Sequence, residues 1–471
     1  FSSRRRHTRY EFVTGVQTCA LPISRFELRE VATTSQDRTR LRAEANVSSR
    51  FISFLAAVLL LGVAAGVAFS ALRHHWAPDL AAIYFGASAY AAGELQSVYA
   101  SPSVFFGALI EDPVWISLAE SQGLAGKPLV SFVYPPLVAA IFAPLTETLG
   151  AVEFLEKGVA LELFCLCLSV LLARSLAANR LPAAHWAIAS LIIGLPTIAV
   201  QNAFFHAQPQ IIITSMILLA FVLYRKRWDV PAGLVLAIAG SIKLAPLFLG
   251  IVFLADRRWR AAAATALGAV AFAIVGTAVT GPEMQLAFFA QIGRAGGSHL
   301  LTPLSYSAAG LLTAAWGIVS GTPADLLNDK SFVRMEAVAW TTGLSYLLLF
   351  FGSLLILTKT RRLAFADALP LRLIGIWSLL SVFGPLGWAH YAVGPILLLP
   401  TVLCLYPRRQ ALLLLMPIVV GLSLPTGLIV IWLAPGISLG SVAAILSLLV
   451  LPVAFMAGTG QQRLGDDADG D

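Results

Sequence analysis

The chain has 471 residues, of which 58% are hydrophobic and only 12% charged, and its mean hydropathy is +0.81. The charged fraction is about half that of an ordinary soluble domain, so a soluble globular protein is excluded. Apolar runs of about 20 residues, the length that a helix needs to cross the hydrocarbon core, recur along the chain. An outer-membrane barrel is also excluded, because its strands would be short and alternating. We therefore predict an all-α, polytopic integral membrane protein.

The N-terminus differs in character from the rest of the chain. Residues 1–24 carry three consecutive arginines and then the string VTGVQTCALPI, which resembles the translation of a sequencing adapter. We interpret these residues as an artefact; a signal peptide is the alternative, but no apolar stretch separates the arginines from Cys19. We assign 25–50 to a cytoplasmic N-terminal segment, 51–457 to a single transmembrane domain and 458–471 to a cytoplasmic acidic tail.

In chain order, the remaining sequence reads as a series of apolar segments separated by polar connections. The segments lie at about 51–72, 132–149, 154–177, 185–200, 209–224, 231–255, 261–280, 304–319, 335–358, 371–387, 390–406, 411–432 and 437–457. Basic clusters lie at 38–50, 174–180, 225–227, 257–260, 359–362 and 408–409. The positive-inside rule places these clusters in the cytoplasm. The connections 73–131, 201–208, 281–303, 388–390 and 433–436 are then extracytoplasmic, and both termini are cytoplasmic.

The number of segments does not alternate strictly with the charge pattern. Short or re-entrant pieces at 132–149 and 304–319, with a bend at Gly240–Lys243, would reconcile the two, and we predict roughly 11–13 segments. Non-helical backbone at membrane depth is tolerated only where it is buried in protein or lines a polar cavity. The irregular segments therefore predict a site inside the helical bundle.

The first extracytoplasmic connection, 73–131, is too long and too aromatic to be a simple linker. Within it, Leu80–Ala92 is helical in character and amphipathic enough to lie along the membrane surface. We therefore predict that this first loop carries interfacial helices.

Several polar residues on the predicted outer face are candidates for a functional site, because an ionisable group at the centre of a membrane helix costs at least ~2.5–3.5 kcal/mol. Asp79 could instead be an ordinary cap of the following helix. Lys243 could extend its amine to the interface, although apolar residues continue beyond it. His390 could be a turn histidine that bonds locally, and Arg294 and His299 are expected to be solvated.

Taken together, these groups are suited to glycosyl transfer. A carboxylate can remove the proton of an acceptor hydroxyl group, cations can stabilise a departing phosphate, and aromatic rings suit the apolar faces of sugars. No outward Asp-x-Asp pattern is present, so we predict no metal, and we predict no other cofactor. The cysteines Cys165, Cys167 and Cys404 lie in apolar segments and are expected to fill the core. Nucleic acid is not expected as a partner.

The order of several short motifs resembles that of glycosyltransferase family 87, the polyprenyl-phosphate-mannose-dependent mannosyltransferases of the GT-C superfamily. The motifs are DLAAIYFGASAYAAGELQSVY from 79, FVYPPLVAAIFAPL at 132–145, AQPQ at 207–210, AGLVLAIAGSIKLAPLFL at 232–249 followed by DRRWR, LSYS at 304–307 and GPLGWAHY at 384–391. Two of them depart from the family pattern, which has Gly-Gln-x-Asn in place of AQPQ and Lys-Pro in place of Lys243-Leu244.

The resemblance implies a GT-C-type helical bundle in the cell (inner) membrane that transfers a hexose, mannose in this family, from a polyprenyl phosphate to a hydroxyl group. The acceptor would be a lipid or glycan, and the transfer would invert the anomeric centre at the outer face. The resemblance makes Asp79 the catalytic base. The substrate-binding residues that we expect are Lys243, His390, Gln208, Tyr391, Tyr134 and Trp388.

Two other functions remain open from the sequence. A secondary transporter or lipid flippase would also contain broken helices and a buried lysine. The long outer loop with a carboxylate at its membrane edge favours the enzyme instead. In a non-catalytic assembly subunit, Asp79 would merely cap a helix.

Overall fold

The computed structural model describes residues 25–100, 109–302, 304–321, 333–426, 428 and 438–457. The predicted artefact at 1–24, the connection at 433–436 and the tail at 458–471 lie outside the described residues. The first half of the chain forms helices α1 (Arg25–Leu72), α2 (Pro78–Ala91), α3 (Leu95–Val98), α4 (Pro113–Ser121), α5 (Pro136–Thr148), α6 (Ala151–Leu176), α7 (Ala183–Gly194), α8 (Ile198–His206), α9 (Gln210–Arg225) and α10 (Asp229–Ile242).

The second half is also helical, apart from one short antiparallel pair of strands in which Ser298 lies opposite Glu336. Its elements are α11 (Ile251–Ala255), α12 (Trp259–Thr280), α13 (Pro282–Gly296), β1 (Ser298–Leu301), α14 (Ala308–Val319), β2 (Val333–Glu336), α15 (Ala339–Lys359), α16 (Phe365–Phe383), α17 (Val393–Leu398), α18 (Pro400–Leu405), α19 (Arg408–Gly421) and α20 (Ser438–Ala457). Short 3₁₀ turns occur at Ala245–Gly250, Thr360–Arg362 and Ala389–Ala392.

The prediction of an all-α membrane protein is confirmed. Among the described residues, five helices are long and apolar enough to cross a membrane: Val47–Leu72, Ala151–Leu176, Trp259–Thr280, Ala339–Arg362 and Phe365–Phe383. Helices α8 and α9 would make a sixth span if taken together, although they are bent by 118° relative to each other. Most of the other predicted segments are apolar helices of 10–17 residues, shorter than the ~20 residues of a simple crossing.

The predicted irregular pieces are short or broken helices, as the charge pattern required. Segment 132–149 contains the 13-residue α5, and segment 304–319 contains the 12-residue α14. Segment 231–255 breaks where expected: α10 ends at Ile242, and Lys243 has an extended backbone with φ −150° and ψ 125°. Polar backbone is thereby exposed to side chains inside the bundle.

The centre of the bundle is α16, whose residues Asp367–Phe383 are all buried. A helix that is apolar on every side is found in the interior of a protein, and α16 packs against α15, α17 and α20. Helices α6, α9, α10 and α12 pack against one another in the order α6–α9–α10–α12. They form the second large part of the core.

The predicted amphipathic character of α2 is wrong. The helix forms within the predicted stretch, but Leu80–Ala89 is buried, and α2 packs against α5 and α6. The contact with the chain before α5 is tight, since a methyl group at Gly86 would overlap the ring of Phe132. The small residues of α2 therefore serve close helix packing rather than a membrane surface.

The expectation that His299 is solvated is also wrong. His299 lies in β1 with a side chain that is only 5% exposed, and its Nε2 lies 3.3 Å from Thr342 Oγ1. Arg294 bonds locally within α13, donating to Gln291 Oε1. His299 therefore contacts α15, whereas Arg294 bonds within its own helix.

Candidate active site

Lys243 is positioned by the break between α10 and the 3₁₀ turn that follows it. The chain folds back tightly here, because the side chain of Leu247 fills the space where a side chain at Gly240 would lie. The ammonium group of Lys243 faces the interior, 3.5 Å from Gln210 Oε1 and 3.4 Å from His390 Nε2. It also lies 4.2 Å from the centroid of the Tyr391 ring. No carboxylate of the described residues forms an ion pair with it.

His390 lies in the 3₁₀ turn that precedes α17, and its side chain is 3% exposed. Its Nδ1 lies 3.4 Å from the side-chain amide of Asn202, while Nε2 faces Lys243. A neutral imidazole has one acceptor and one donor nitrogen. When Nε2 accepts from Lys243, Nδ1 carries the hydrogen and donates to the amide oxygen of Asn202, an orientation that amide rotation allows. Asn202 and Lys243 thus fix the ring from both sides.

The aromatic rings around His390 form a small stacked group. The Trp388 ring is nearly parallel to that of His390, with 11° between the planes and 6.3 Å between the centroids. The Tyr391 ring meets the imidazole edge-on at 4.8 Å. These rings give the site one flat face and one polar edge.

The turn that carries His390 is hydrogen-bonded to a second motif that is distant in sequence. The chain around Ser305 forms a β-bridge with Trp388, the Ala389 N–H donates to the Leu304 carbonyl, and the Tyr306 N–H donates to the Gly387 carbonyl. Gly387 has a φ of +53°, and a side chain there would overlap Ser307. Only glycine satisfies both conditions at this position, so LSYS and GPLGWAHY form one structural unit.

A sharp break between α8 and α9 supplies the other polar contacts. Ala207 has a left-handed conformation with φ 44°, and the two helices diverge by 118° around it. Helix α8 packs on the turn that carries His390 and so brings Asn202 to the imidazole. Helix α9 begins with Gln210, whose side chain reaches Lys243.

Asp79 lies in the first turn of α2, immediately after Pro78. The N-cap of this helix is Ala77, and the Asp79 carboxylate makes no hydrogen bond to any residue that the structure describes. The side chain is only partly buried, and its charge interacts with Lys243 and with the phenol groups of Tyr134 and Tyr391. The capping explanation is therefore not supported by the geometry of this helix.

The electrostatic surroundings of Asp79 make it a proton acceptor at neutral pH. Burial raises the pKa of the Asp79 carboxyl to about 7, and the nearby positive charge of Lys243 opposes the increase. A base is most effective when its pKa lies near the working pH. Asp79 therefore has a pKa suited to a general base, and no described residue forms a hydrogen bond with its carboxylate.

Tyr134 completes the group that lies near Asp79. It precedes α5, its side chain is 3% exposed, and its carbonyl accepts a hydrogen bond of 2.7 Å from the Tyr99 hydroxyl group. Since α2 packs along α5, this bond fixes the chain that borders the carboxylate.

The structure brings together six of the seven residues that the sequence indicated: Asp79, Tyr134, Lys243, Trp388, His390 and Tyr391. Gln208 is different, because its side chain makes no hydrogen bond to the described residues, and Gln210 contacts Lys243 in its place. Gln210 was visible as the last residue of AQPQ. Asn202 was not singled out, although it lies one helical turn before His206 in an apolar run. The structure describes no cluster of residues that could hold a metal ion.

Comparison with known proteins shows that the sequence is similar to sugar-transferring enzymes. A relative from Mycolicibacterium smegmatis (strain ATCC 700084 / mc(2)155) is named polyprenol-phosphate-mannose-dependent alpha-(1-2)-phosphatidylinositol pentamannoside mannosyltransferase. It is 31% identical over 168 residues, which cover 35% of this chain and 39% of the relative. The chain thus matches well under half of that protein's length, and no solved structure matches.

The profile of glycosyltransferase family 87 matches residues 132–371, about half of the chain. This range contains Tyr134, Gln210 and Lys243, whereas Asp79 and His390 lie on either side of it. The helical membrane architecture agrees with the family. The chain belongs to glycosyltransferase family 87.

Proposed function

We propose that the chain is a membrane glycosyltransferase that moves mannose from a polyprenyl-phosphate donor to a hydroxyl group of a glycolipid or glycan acceptor. The observation that carries this proposal is the Asp79 carboxylate, which has no hydrogen-bond partner among the described residues. It lies near Lys243 and His390, where the chain breaks between α8 and α9 and again after α10. The relative from Mycolicibacterium smegmatis depends on polyprenol-phosphate-mannose, which supports the choice of donor.

The proposed reaction is a single displacement at the anomeric carbon. Asp79 removes the proton of the acceptor hydroxyl group as the oxygen attacks that carbon. The bond between the anomeric carbon and the phosphate oxygen breaks, and its electron pair stays on the phosphate. Attack opposite the leaving group inverts the anomeric configuration.

Lys243 is the residue that stabilises the departing phosphate. Its ammonium group lacks a carboxylate partner among the described residues, and it points towards the same group of rings as His390. A fixed cation at the site of developing negative charge lowers the barrier of the transfer. The flat faces of Trp388 and His390 offer a surface for the sugar ring.

We also propose that the site faces the non-cytoplasmic side of the cell (inner) membrane. The basic residues gather at the opposite end of the bundle, at 225–227, 257–260 and 359–362. Such residues are retained on the cytoplasmic side. A lipid-linked donor in the outer leaflet could then reach Asp79 from within the membrane.

The test is the substitution Asp79→Asn, assayed in membranes supplied with radiolabelled polyprenyl-phosphate mannose. Loss of the general base is expected to lower transfer by about 100-fold or more, with normal accumulation of the protein. Glu120→Gln, which changes an exposed carboxylate on α4, is the matched control and is expected to retain transfer. Unchanged transfer by Asp79→Asn would overturn the proposal.

The same assay separates the enzyme from a transporter or flippase. The broken helices α8 and α9 with a nearby lysine are compatible with transport. An enzyme joins the label covalently to a second lipid or glycan, whereas a transporter moves the intact donor across the membrane. Label that stays on the donor, whichever leaflet it occupies, would favour transport.

A further inference from the structure

A second carboxyl group, that of Glu162, lies buried in the middle of α6. Its side chain is 1% exposed, and neither carboxyl oxygen has a hydrogen-bond partner among the described residues. Three other acids of the bundle are paired with arginines. Asp229, Asp256 and Asp367 pair with Arg258, Arg372 and Arg180, respectively.

An ionised carboxylate without a partner costs several kcal/mol in a protein interior. Among the described residues, no donor bonds to either oxygen of Glu162 and no cation forms an ion pair with it. The side chain is therefore held as the neutral acid in the resting protein. Such a group reduces the stability of the bundle, because a buried polar group without a hydrogen bond is unfavourable.

Glu162 is directed towards the same region as the candidate base. One turn earlier on α6, Gly158 lies against Leu80, the residue that follows Asp79. Residues four apart lie on the same face of a helix, so Glu162 faces α2 as well. Its carboxyl group is close enough to interact electrostatically with Asp79 and with the Tyr134 phenol.

The charges around Glu162 make it unfavourable for both carboxyl groups to be ionised at the same time. The titratable groups that face it or border its partner are Asp79, Tyr134, Cys165, Lys243, His390 and Tyr391. The ionisable groups of α7 and α16 lie in the first halves of those helices. Those of α9 lie at its last turn, beside the basic loop at 225–227. Lys243 is the lysine that interacts with this group, and His206 is a further titratable residue that acts on His390. A second carboxylate would leave an excess negative charge where an anionic donor must bind.

We infer that Glu162 is a positioning residue for the donor site, acting through its protonation state. As a neutral acid it leaves the single negative charge on Asp79, opposite Lys243. When Glu162 loses its proton as the pH rises, the added negative charge competes for Lys243 and repels the donor phosphate. This inference rests on the proposed function, since it assumes an anionic donor at Lys243.

The test compares Glu162→Gln, which is neutral at every pH, with the wild type. The Michaelis constant for polyprenyl-phosphate mannose is measured across the pH range, separately from kcat. We expect the wild-type constant to rise about tenfold per pH unit once Glu162 ionises, and the rise to be absent or displaced to higher pH in Glu162→Gln. Ser169→Ala is the matched control, because Ser169 is a buried, unpartnered residue two turns further along α6. It is expected to follow the wild-type profile.

A second measurement does not depend on activity. Infrared spectra of the purified protein at neutral pH are expected to show the carbonyl band of a buried protonated carboxyl group. Asp79 is partly protonated at neutral pH and contributes to the same band. The band is therefore expected to be unchanged in Ser169→Ala, weaker in Glu162→Gln, and still present in Asp79→Asn, where it comes from Glu162. A structural role alone would leave the pH dependence of donor binding unchanged.

Superimposable profiles of Glu162→Gln and the wild type would overturn the inference, because the alkaline change would then belong to Lys243. Absence of the protonated carbonyl band at neutral pH would also overturn it. Asp79→Asn distinguishes this failure from that of the proposed function. If Asp79→Asn abolishes transfer while the Glu162→Gln profile is unchanged, only the role of Glu162 is refuted; if Asp79→Asn retains transfer, the proposed function fails.

Discussion

Asp79 is the residue whose protonation decides whether the proposed reaction can begin. Its pKa is raised to about 7 by burial, and only the ionised carboxylate can accept a proton. The rate of transfer is therefore expected to rise with pH up to about 7, and to fall about tenfold for each unit below it. The measurement is kcat/KM against pH with saturating acceptor. A rate that is independent of pH across this range would show that Asp79 is not the base.

Single residues of the site were predictable when they interrupted an apolar pattern. Lys243 and Asp79 are costly in such surroundings, and the structure places both near the same aromatic rings. The choice between Gln208 and Gln210 was not predictable, because the left-handed turn at Ala207 decides which side chain points inward. Glu162 was missed because α6 reads as one continuous apolar helix around it.

At the scale of secondary-structure elements, a buried ionic cluster joins the helix ends opposite the site. Arg372 on α16 donates to Asp256 over 2.6 Å and to the Thr360 hydroxyl group over 2.9 Å. Asp256 also accepts a hydrogen bond of 2.8 Å from Tyr224 on α9. The cluster therefore connects α9, the end of α11 and the turn between α15 and α16.

Removing one member of this cluster is expected to destabilise the bundle. Arg372→Leu leaves the partly buried Asp256 without its cation, and breaking such a pair costs about 3–5 kcal/mol. The free energy of unfolding in detergent measures the loss. The control is Lys157→Leu, which removes an exposed i,i+4 pair with Glu153 and is expected to cost under about 0.5 kcal/mol. Equal effects of the two substitutions would contradict a stabilising role of the cluster.

The elements themselves were predicted with uneven success, for physical reasons. The break at Gly240–Lys243 followed from a charged residue inside an apolar run, and the structure confirms it. The position of α2 did not follow, because apolar periodicity cannot separate a helix on the membrane surface from one packed against α5 and α6. Close packing at a small residue such as Gly86 depends on the partner side chain, Phe132, as well as on α2 itself. The sequence of α2 alone therefore does not reveal it.

At the scale of the whole molecule, charge and helix length give complementary information. Among the described residues, length and composition identify five possible spans, or six with the bent pair α8–α9. A helix that breaks near a functional residue is too short to be counted in this way. The distribution of basic residues indicates which helix ends face the cytoplasm, but it does not give the number of helices that cross the membrane. At the end opposite the site, Asp229, Asp256 and Asp367 are paired internally, so the exposed basic residues there retain their net positive charge.

This charge distribution predicts which end of the bundle faces the cytoplasm. A cysteine in place of the exposed Glu120, in the 73–131 connection near α2, is expected to react with a membrane-impermeant maleimide in intact cells. A cysteine in place of the exposed Arg361, between α15 and α16, is expected to react only after the membrane is permeabilised, because basic loops are retained inside. Both positions are on the surface, so a difference in labelling reports the side of the membrane rather than burial. Labelling of the two positions in the opposite order would place Asp79 on the cytoplasmic side and would rule out a donor drawn from the outer leaflet.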